Sequence, residues 1–249
     1  MTVSAGTALR AEWTKIITLR TTWSVPLAGT LLGILASALV CALIGDVQEL
    51  LVQDPSVGIH YGLTLFQTAF VCFGVLLLGQ EFDSGSVLPA LLAVPRRGLL
   101  YGSKLAVGAG YGLALGLLLS AGSFAAARAT LDHPAGWTDP GVPRSLAAAA
   151  LYPPLMIVFC LGVTAMLGNL TAAMGLLVPT LLVGTTLLGA VPGVRELVPF
   201  LPDRAGQYGI RYATDPDVPF PHWTGSLLLA VWAGAAAYGG LRRFRRYEG

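Results

Sequence analysis

The sequence predicts an all-α, polytopic membrane protein with six transmembrane helices, an N-terminal amphipathic interfacial helix and both termini cytoplasmic. Three observations predict it. The 249 residues are 55% hydrophobic and only 11% charged, where soluble domains carry about 25% charged residues. The apolar residues gather into six runs near the ~20 residues that a helix needs to cross a bilayer. The cations gather between those runs on one side. A water-exposed surface cannot be built from so few charges, so a soluble enzyme, a nucleic-acid binder and a disordered chain are excluded.

The elements follow in order. In residues 1–24, Leu9, Trp13, Ile16 and Ile17 share one helical face, while Arg10, Glu12, Lys15 and Thr18 lie elsewhere. This reads as a helix lying on the inner leaflet, anchored by Trp13, Lys15 and Arg20. The first apolar run starts after more than twenty residues and is long enough to span, so the prefix is not a cleavable signal. Six spans are expected at 25–44, 61–78, 105–127, 146–167, 171–191 and 223–241, with 242–249 as a basic tail, so 1–249 forms a single transmembrane domain. Only Gly168, Asn169 and Leu170 separate the fourth and fifth spans, which predicts a tight helical hairpin. Pro153, Pro154 and Pro179 predict kinks or local unwinding. The stretch 192–222 holds six prolines. It reads either as a stiff surface loop or, around 194–201, as short re-entrant helices that gate the outer exit.

Orientation comes from Lys and Arg. With the N-terminus inside, the inner segments hold Arg10, Lys15, Arg20, Arg96, Arg97, Lys104, Arg242, Arg243, Arg245 and Arg246. The outer loops hold Arg128, Arg144, Arg195, Arg204 and Arg211. Acids run the other way. Glu12, Glu81, Asp83 and Glu248 are inside; Asp46, Glu49, Asp54, Asp132, Asp139, Glu196, Asp203, Asp215 and Asp217 are outside.

The expected spans contain no Asp, Glu, Lys, Arg or His. A proton- or ion-coupled carrier needs titratable groups in the membrane, so that class is disfavoured. His60, His133 and His222 fall in outer loops, and Cys41, Cys72 and Cys160 stand singly in apolar runs, so no metal site or disulfide framework is suggested. No phosphate-binding loop is present; Gly98 to Gly102-Ser103-Lys104 lacks the Gly-Lys pair. The chain is thus passive or driven by a partner. Gly29, Gly33 and Ser37 in the first span, and Gly108, Gly112, Gly116 and Ser120 in the third, form small-residue stripes that let helices approach in lipid. Thr180, Thr185 and Thr186 are candidates for a substrate path, unless they bond back to their own helix.

The inner loop after the second span carries the strongest signal. Gly79-Gln80-Glu81-Phe82-Asp83-Ser84-Gly85-Ser86 leads into the apolar stretch Val87 to Val94, then Pro95-Arg96-Arg97, then Lys104. A short helix ending at Pro95 is expected, with Leu88, Leu91 and Leu92 on one face. This pattern resembles that of membrane (permease) subunits of ATP-binding-cassette exporters of the type-2 class, in which Glu-x-x-x-Gly-Thr/Ser precedes an apolar helix, Pro-Arg-Arg and a later Lys. Glu81, Gly85, Ser86, Pro95, Arg96, Arg97 and Lys104 match it; Ser86 stands where Thr is commoner. The opening Glu12-Trp13-Thr14-Lys15 with Arg20 is similar to the start of such subunits, especially actinobacterial ones, and the stretch around Leu201-Pro202 and Ala205-Gly206 resembles the segment before their last span.

The resemblance implies a multi-pass protein of a bacterial plasma membrane that is itself no enzyme. It would pair with a second permease subunit, identical or related, and with two copies of a cytosolic ATP-binding subunit. No cofactor would sit on this chain; ATP and Mg would sit on the partner. Glu81, Asp83, Gly85, Leu88, Leu91, Leu92, Pro95, Arg96 and Arg97 would form the coupling loop. The apolar spans with scattered hydroxyls suit an amphipathic cargo such as a drug, antibiotic, lipid or peptide. Two alternatives stay open: a lipid-modifying enzyme using Glu81 and Asp83, or a sensor or structural subunit that moves nothing.

Overall fold

In the computed structural model, which describes residues 4–44, 48–94, 96–131, 135–214 and 218–246, the chain is predominantly helical and no strand occurs among the described residues. Expectations that concern Asp46, Pro95, Asp132, His133, Pro134, Asp215, Asp217 and Glu248 lie outside the described residues, as does the side chain of Glu49. The helices are α1 (Ala5–Thr18), α2 (Arg20–Ile44), α3 (Glu49–Gln53), α4 (Pro55–Ile59), α5 (Tyr61–Asp83), α6 (Val87–Ala93), α7 (Arg97–Thr130), α8 (Val142–Leu167), α9 (Leu170–Pro179), α10 (Thr185–Leu188), α11 (Pro202–Ile210) and α12 (His222–Arg245). A π-turn at Thr180–Gly184 joins α9 to α10, and a 3₁₀ segment at Arg195–Phe200 precedes α11.

Six of these are long and apolar enough to cross a membrane: Thr22–Ile44, Tyr61–Asp83, Arg97–Thr130, Val142–Leu167, Leu170–Leu188 and His222–Arg245. The expected all-α, six-span architecture is therefore observed, and it is that of a multi-pass membrane protein. The helices overrun the expected spans where charge begins. α5 continues to Asp83 and α7 starts at Arg97, so Glu81 and Lys104 sit on the long helices themselves. Hydropathy stops at the first charge, but a helix does not when that charge finds a partner. The fourth and fifth spans do form a tight hairpin. Gly168 takes the left-handed conformation (φ +67°) that ends α8, and the Asn169 side chain caps α9 by accepting from Ala172 N at 2.8 Å.

The prolines act unequally. α8 runs unbroken through Pro153 and Pro154. Pro179 is followed at once by the π-turn, where the helix is locally widened. Packing explains the difference. α8 is the hub of the bundle: 67% of its most apolar stretch is buried, against 28% for α2 and for α12. Neighbours on several sides hold it in shape.

Glycines set the interhelical distances. A Cβ placed on Gly62 of α5 would lie 1.8 Å from the Gly33 carbonyl oxygen of α2. One on Gly162 of α8 would lie 2.4 Å from the Ala236 carbonyl carbon of α12. On α7, Gly112 faces Pro154 and Ile157, Gly116 faces the Ala150 carbonyl oxygen, 2.2 Å from where a Cβ would stand, and Gly108 faces Leu77. Gly29 faces Ala69. Such contacts bring backbones together where no water is available to drive association.

Two ends of the bundle result. α1, α6 and the last turn of α12 gather at one end, with Arg97 donating to the Arg245 carbonyl at 2.9 Å. At the opposite end, 209–213 is clamped by α4 and α8. Arg144 donates to the Gly209 and Arg211 carbonyls, and Asp54 accepts from Tyr212 N and Ala213 N. His60 is buried there, its Nε2 3.2 Å from Ser145 Oγ.

Two predictions follow from this packing. Gly62→Ala and Gly162→Ala each abolish the monodisperse folded protein in detergent gel filtration. Gly110→Ala, whose Cβ meets open space, leaves it intact or stabilises it by about 0.5–1 kcal/mol. The second concerns His60. Burial lowers its pKa from 6.5 to about 4, so it folds neutral. Between pH 6.5 and 4 the unfolded chain binds the proton and the native chain does not, so stability falls as pH drops through that window, by about 3 kcal/mol in all. Thermal unfolding between pH 7 and 4.5 measures this, and His60→Gln flattens the slope.

Candidate functional site

Three helices bring four charges together at the end that holds α1 and α6. α1 supplies Glu12 and Lys15, α5 supplies Glu81, and α7 supplies Lys104. The Lys104 ammonium lies 2.8 Å from Glu12 Oε2 and 2.5 Å from Glu81 Oε1. Lys15 lies 3.0 Å from Glu12 Oε1 and 2.9 Å from Glu81 Oε1. The Lys104 side chain is 1% exposed and that of Lys15 46%. The inner lysine is thus sealed in and the outer one closes the rim.

The electrostatics follow from that difference. A buried ammonium costs several kcal/mol unless it is paired and hydrogen-bonded. Lys104 has two carboxylates, and Lys15 balances the second negative charge, so the cluster is neutral as a whole. Lys15 adds little stability itself, because water and salt screen it. Burial pulls its pKa down, but Glu81 and Glu12 outweigh this and hold it above its ordinary value. Glu81 Oε2 is buried and has no hydrogen-bond partner.

α1 meets the bundle on an unexpected face. Periodicity placed Leu9, Trp13, Ile16 and Ile17 together. In the structure Ala8, Glu12 and Ile16 are buried, while Leu9, Trp13 and Ile17 point out. The predicted apolar face loses Ile16 to the core, and Glu12 moves inward with it. Its partner Lys104 is 92 residues away, which no helical period reveals. Trp13 stays half-exposed and meets Tyr111 edge-on with ring centroids 6.5 Å apart. Arg20 is exposed at the start of α2.

α6 also rotates relative to expectation. Val87 is buried beside Leu78, Leu100, Tyr101 and Phe244, with Ala90, Leu91 and Val94 packed on the same cluster. Leu91 therefore points in, while Leu88 and Leu92 are 47% and 84% exposed. The three leucines lie on one side of the helix, but that side is split: Leu91 at its edge packs on the bundle and Leu88 and Leu92 face out. The buried Val87 fixes the rotation, because it must fill the gap below the last turn of α12. Gly85 makes the turn into α6 with φ +69°. Asp83 and Arg96 are exposed, and Arg97 donates to the Arg245 carbonyl at the end of α12. Between α1, α5 and α6 lies a groove of about 560 Å³, lined chiefly by apolar side chains with Glu12, Lys15 and Glu81 at its polar end.

The threonines of the suggested substrate path sit at the opposite end. Thr185 is buried and donates to Asp203 Oδ2 at 2.7 Å; Thr186 accepts from Arg204; Thr180 is exposed in the π-turn. Burial raises the Asp203 pKa, with the Thr185 hydroxyl and Arg204 opposing that shift. A buried amide chain adjoins this cluster: Gln67 accepts from Tyr152 and Gln207, and donates to the Leu181 carbonyl at 3.3 Å. The sequence reading missed Asp203, Gln67, Tyr152 and Gln207. Asp203 looked like a loop acid, yet 202–210 is a helix packed on α8 and α12. The local signal was Pro202 opening a helix with Asp in its first turn.

The buried charge at the α1 end generates a test. Lys104→Met leaves two buried carboxylates sharing the half-exposed Lys15, one negative charge uncompensated, and destabilises the protein by about 3–5 kcal/mol. Glu12→Gln on that background recovers part of the loss, because it removes the excess negative charge; a double-mutant cycle in thermal unfolding measures the coupling. No protein-family model matches this chain, and no curated protein matches it in sequence.

Proposed function

We propose that the chain is the membrane subunit of an ATP-binding-cassette exporter, working in a bacterial plasma membrane with a second permease subunit and two cytosolic ATPases. The observation that supports this most is the posture of α6. It is a short helix whose inner face is packed into the bundle through Val87, Ala90 and Leu91, and whose outer face offers Leu88 and Leu92. An exposed apolar i, i+4 pair flanked by charges is the form in which a helix docks into a partner's groove. The ion pairs of Glu81 with Lys104 and Lys15 tie the last turn of α5, which leads into α6, to α1 and α7. A push on α6 would thus reach three other helices.

The cargo would be amphipathic, and this chain would carry no catalytic chemistry of its own. The same ion pairs weigh against the lipid-enzyme alternative, because Glu81 and Glu12 are neutralised by lysines and, among the described inner acids, only Asp83 remains exposed.

Affinity purification from the native membrane in mild detergent tests the reading. A near-stoichiometric ATPase is expected with the wild-type chain. Leu92→Asp should lower the copurified ATPase roughly tenfold, since one lost leucine contact of about 1.5–3 kcal/mol corresponds to a decade or more. Arg96→Glu should act the same way and leave the Tm unchanged. A chain that purifies alone under gentle washing overturns the proposal.

A further inference from the structure

The groove between α1, α5 and α6 is chemically two-ended. Its walls are mostly apolar, with Ile16, Leu19, Leu76 and Leu77 among them, and Thr22, Gln80, Ser84 and Ser86 also line it. Its polar end holds a half-exposed ammonium, Lys15, next to a carboxylate, Glu81, whose second oxygen is buried without a donor. Cation and anion are 2.9 Å apart. Exposed Leu9, Trp13 and Ile17 cover the outside of α1, where a lipid-facing surface would continue the apolar walls. About 560 Å³ is within the size range of small-molecule sites.

We infer that this groove binds a phospholipid with a primary-ammonium headgroup, of the phosphatidylethanolamine class. The charge pattern selects the headgroup. A zwitterion lies antiparallel on the Lys15–Glu81 pair: its phosphate meets the rim ammonium of Lys15, and its ammonium takes the place that Lys15 leaves at Glu81 Oε1. A largely buried carboxylate that loses a donor is costly to leave unpaired, so a ligand that brings N–H donors gains what one without them does not. A choline headgroup has no N–H. A glycerol headgroup has no cation to offset the carboxylate. One acyl chain runs along the apolar wall beside Leu76 and Leu77. Lys15 is the mobile part of the exchange, since Lys104 keeps both Glu12 and Glu81 partnered when Lys15 turns to the phosphate. The inference is independent of the exporter reading, because it requires only this chain.

The test uses the full chain, delipidated in mild detergent and offered phosphatidylethanolamine, its mono- and dimethylated forms, phosphatidylcholine and phosphatidylglycerol with matched acyl chains. Native mass spectrometry reads the retained lipid. Phosphatidylethanolamine should be retained roughly tenfold over phosphatidylcholine and phosphatidylglycerol, the size expected of one charge-assisted hydrogen bond. In the methylation series the preference should drop at phosphatidylcholine, where the last N–H is lost. Glu81→Gln should erase the preference; Lys15→Gln should lower retention of all phospholipids and keep their ratio; Ala93→Phe, at an exposed position of the groove wall, should remove retention altogether. Lys15→Gln and Ala93→Phe leave the buried Lys104 pairs in place, so they report even if Glu81→Gln unfolds. Equal retention of all headgroups, or a preference that survives in Glu81→Gln, overturns the inference. So does a groove that shows no lipid preference but is protected from labelling at an Ala93→Cys variant only when the ATPase copurifies; that result assigns the groove to a protein segment.

Discussion

The architecture depends on one buried ammonium. Lys104 has lost almost all contact with water, and a lone ammonium in that setting would not remain charged or would not remain buried. It stays because Glu12 and Glu81 reach it from two other helices. That requirement specifies several things together. It fixes the rotation of α1, so that Glu12 and not Trp13 faces the bundle. It sets the register of the last turn of α5 against the second turn of α7. It also places the start of α6 close beneath both. Replacing such a cluster with apolar groups often costs little stability. What the charges add is a unique arrangement, since slipping any one helix by a residue would strand a charge.

Farther into the bundle the constraint changes from charge to steric closeness. Without a hydrophobic drive between helices in lipid, contact area and backbone proximity hold them together. α8 is gripped on one side by Gly112 and Gly116 of α7 and presents its own Gly162 to α12 on another. This grip is why consecutive prolines are tolerated in α8. Pro153 and Pro154 remove two backbone donors, yet the carbonyl of Ala150 is covered by the close approach of Gly116. Pro179 has no comparable enclosure, since the segment 170–188 is buried over only 22% of its apolar window, and there the helix widens.

What the sequence made legible follows the same division. Spans, hairpin and stripes were readable because they are local: hydropathy, a Gly-Asn break and an i, i+4 repeat each occupy one stretch of chain. The small residues of the two stripes meet neighbouring helices as such repeats suggest, although which neighbour each meets was not readable. The way the faces of α1 and α6 turn in the bundle was not readable because their rotation is set by distant residues: Lys104 for Glu12, and the core around Leu100 and Phe244 for Val87. Likewise Asp203 and Gln67 are ordinary polar residues in sequence. Only folding shows that one is sealed under Thr185 and the other bridges Tyr152 to the Leu181 carbonyl. The coupling-loop residues share a neighbourhood in the structure but divide their work: Glu81 holds, Leu91 packs, and Leu88 and Leu92 face outward.

These two clusters are joined by α5. Glu81 lies near one end of the helix and Gln67 fourteen residues earlier, about 21 Å at 1.5 Å per residue. A helix transmits axial displacement with little loss when its packing is tight, and α5 is more than half buried along its apolar window. Motion at α6 would therefore arrive at Gln67. There it meets a hydrogen bond to Leu181 in the π-turn, the least regular turn of the fifth span, and the Tyr152 and Gln207 contacts that lead to α11. A rigid rod ending on a loosened turn is a physical arrangement for converting a small shift at one face into a change of shape at the other. It needs no ionisable group in the middle of the membrane, which accords with a bundle whose charges, among the described residues, gather towards its two ends.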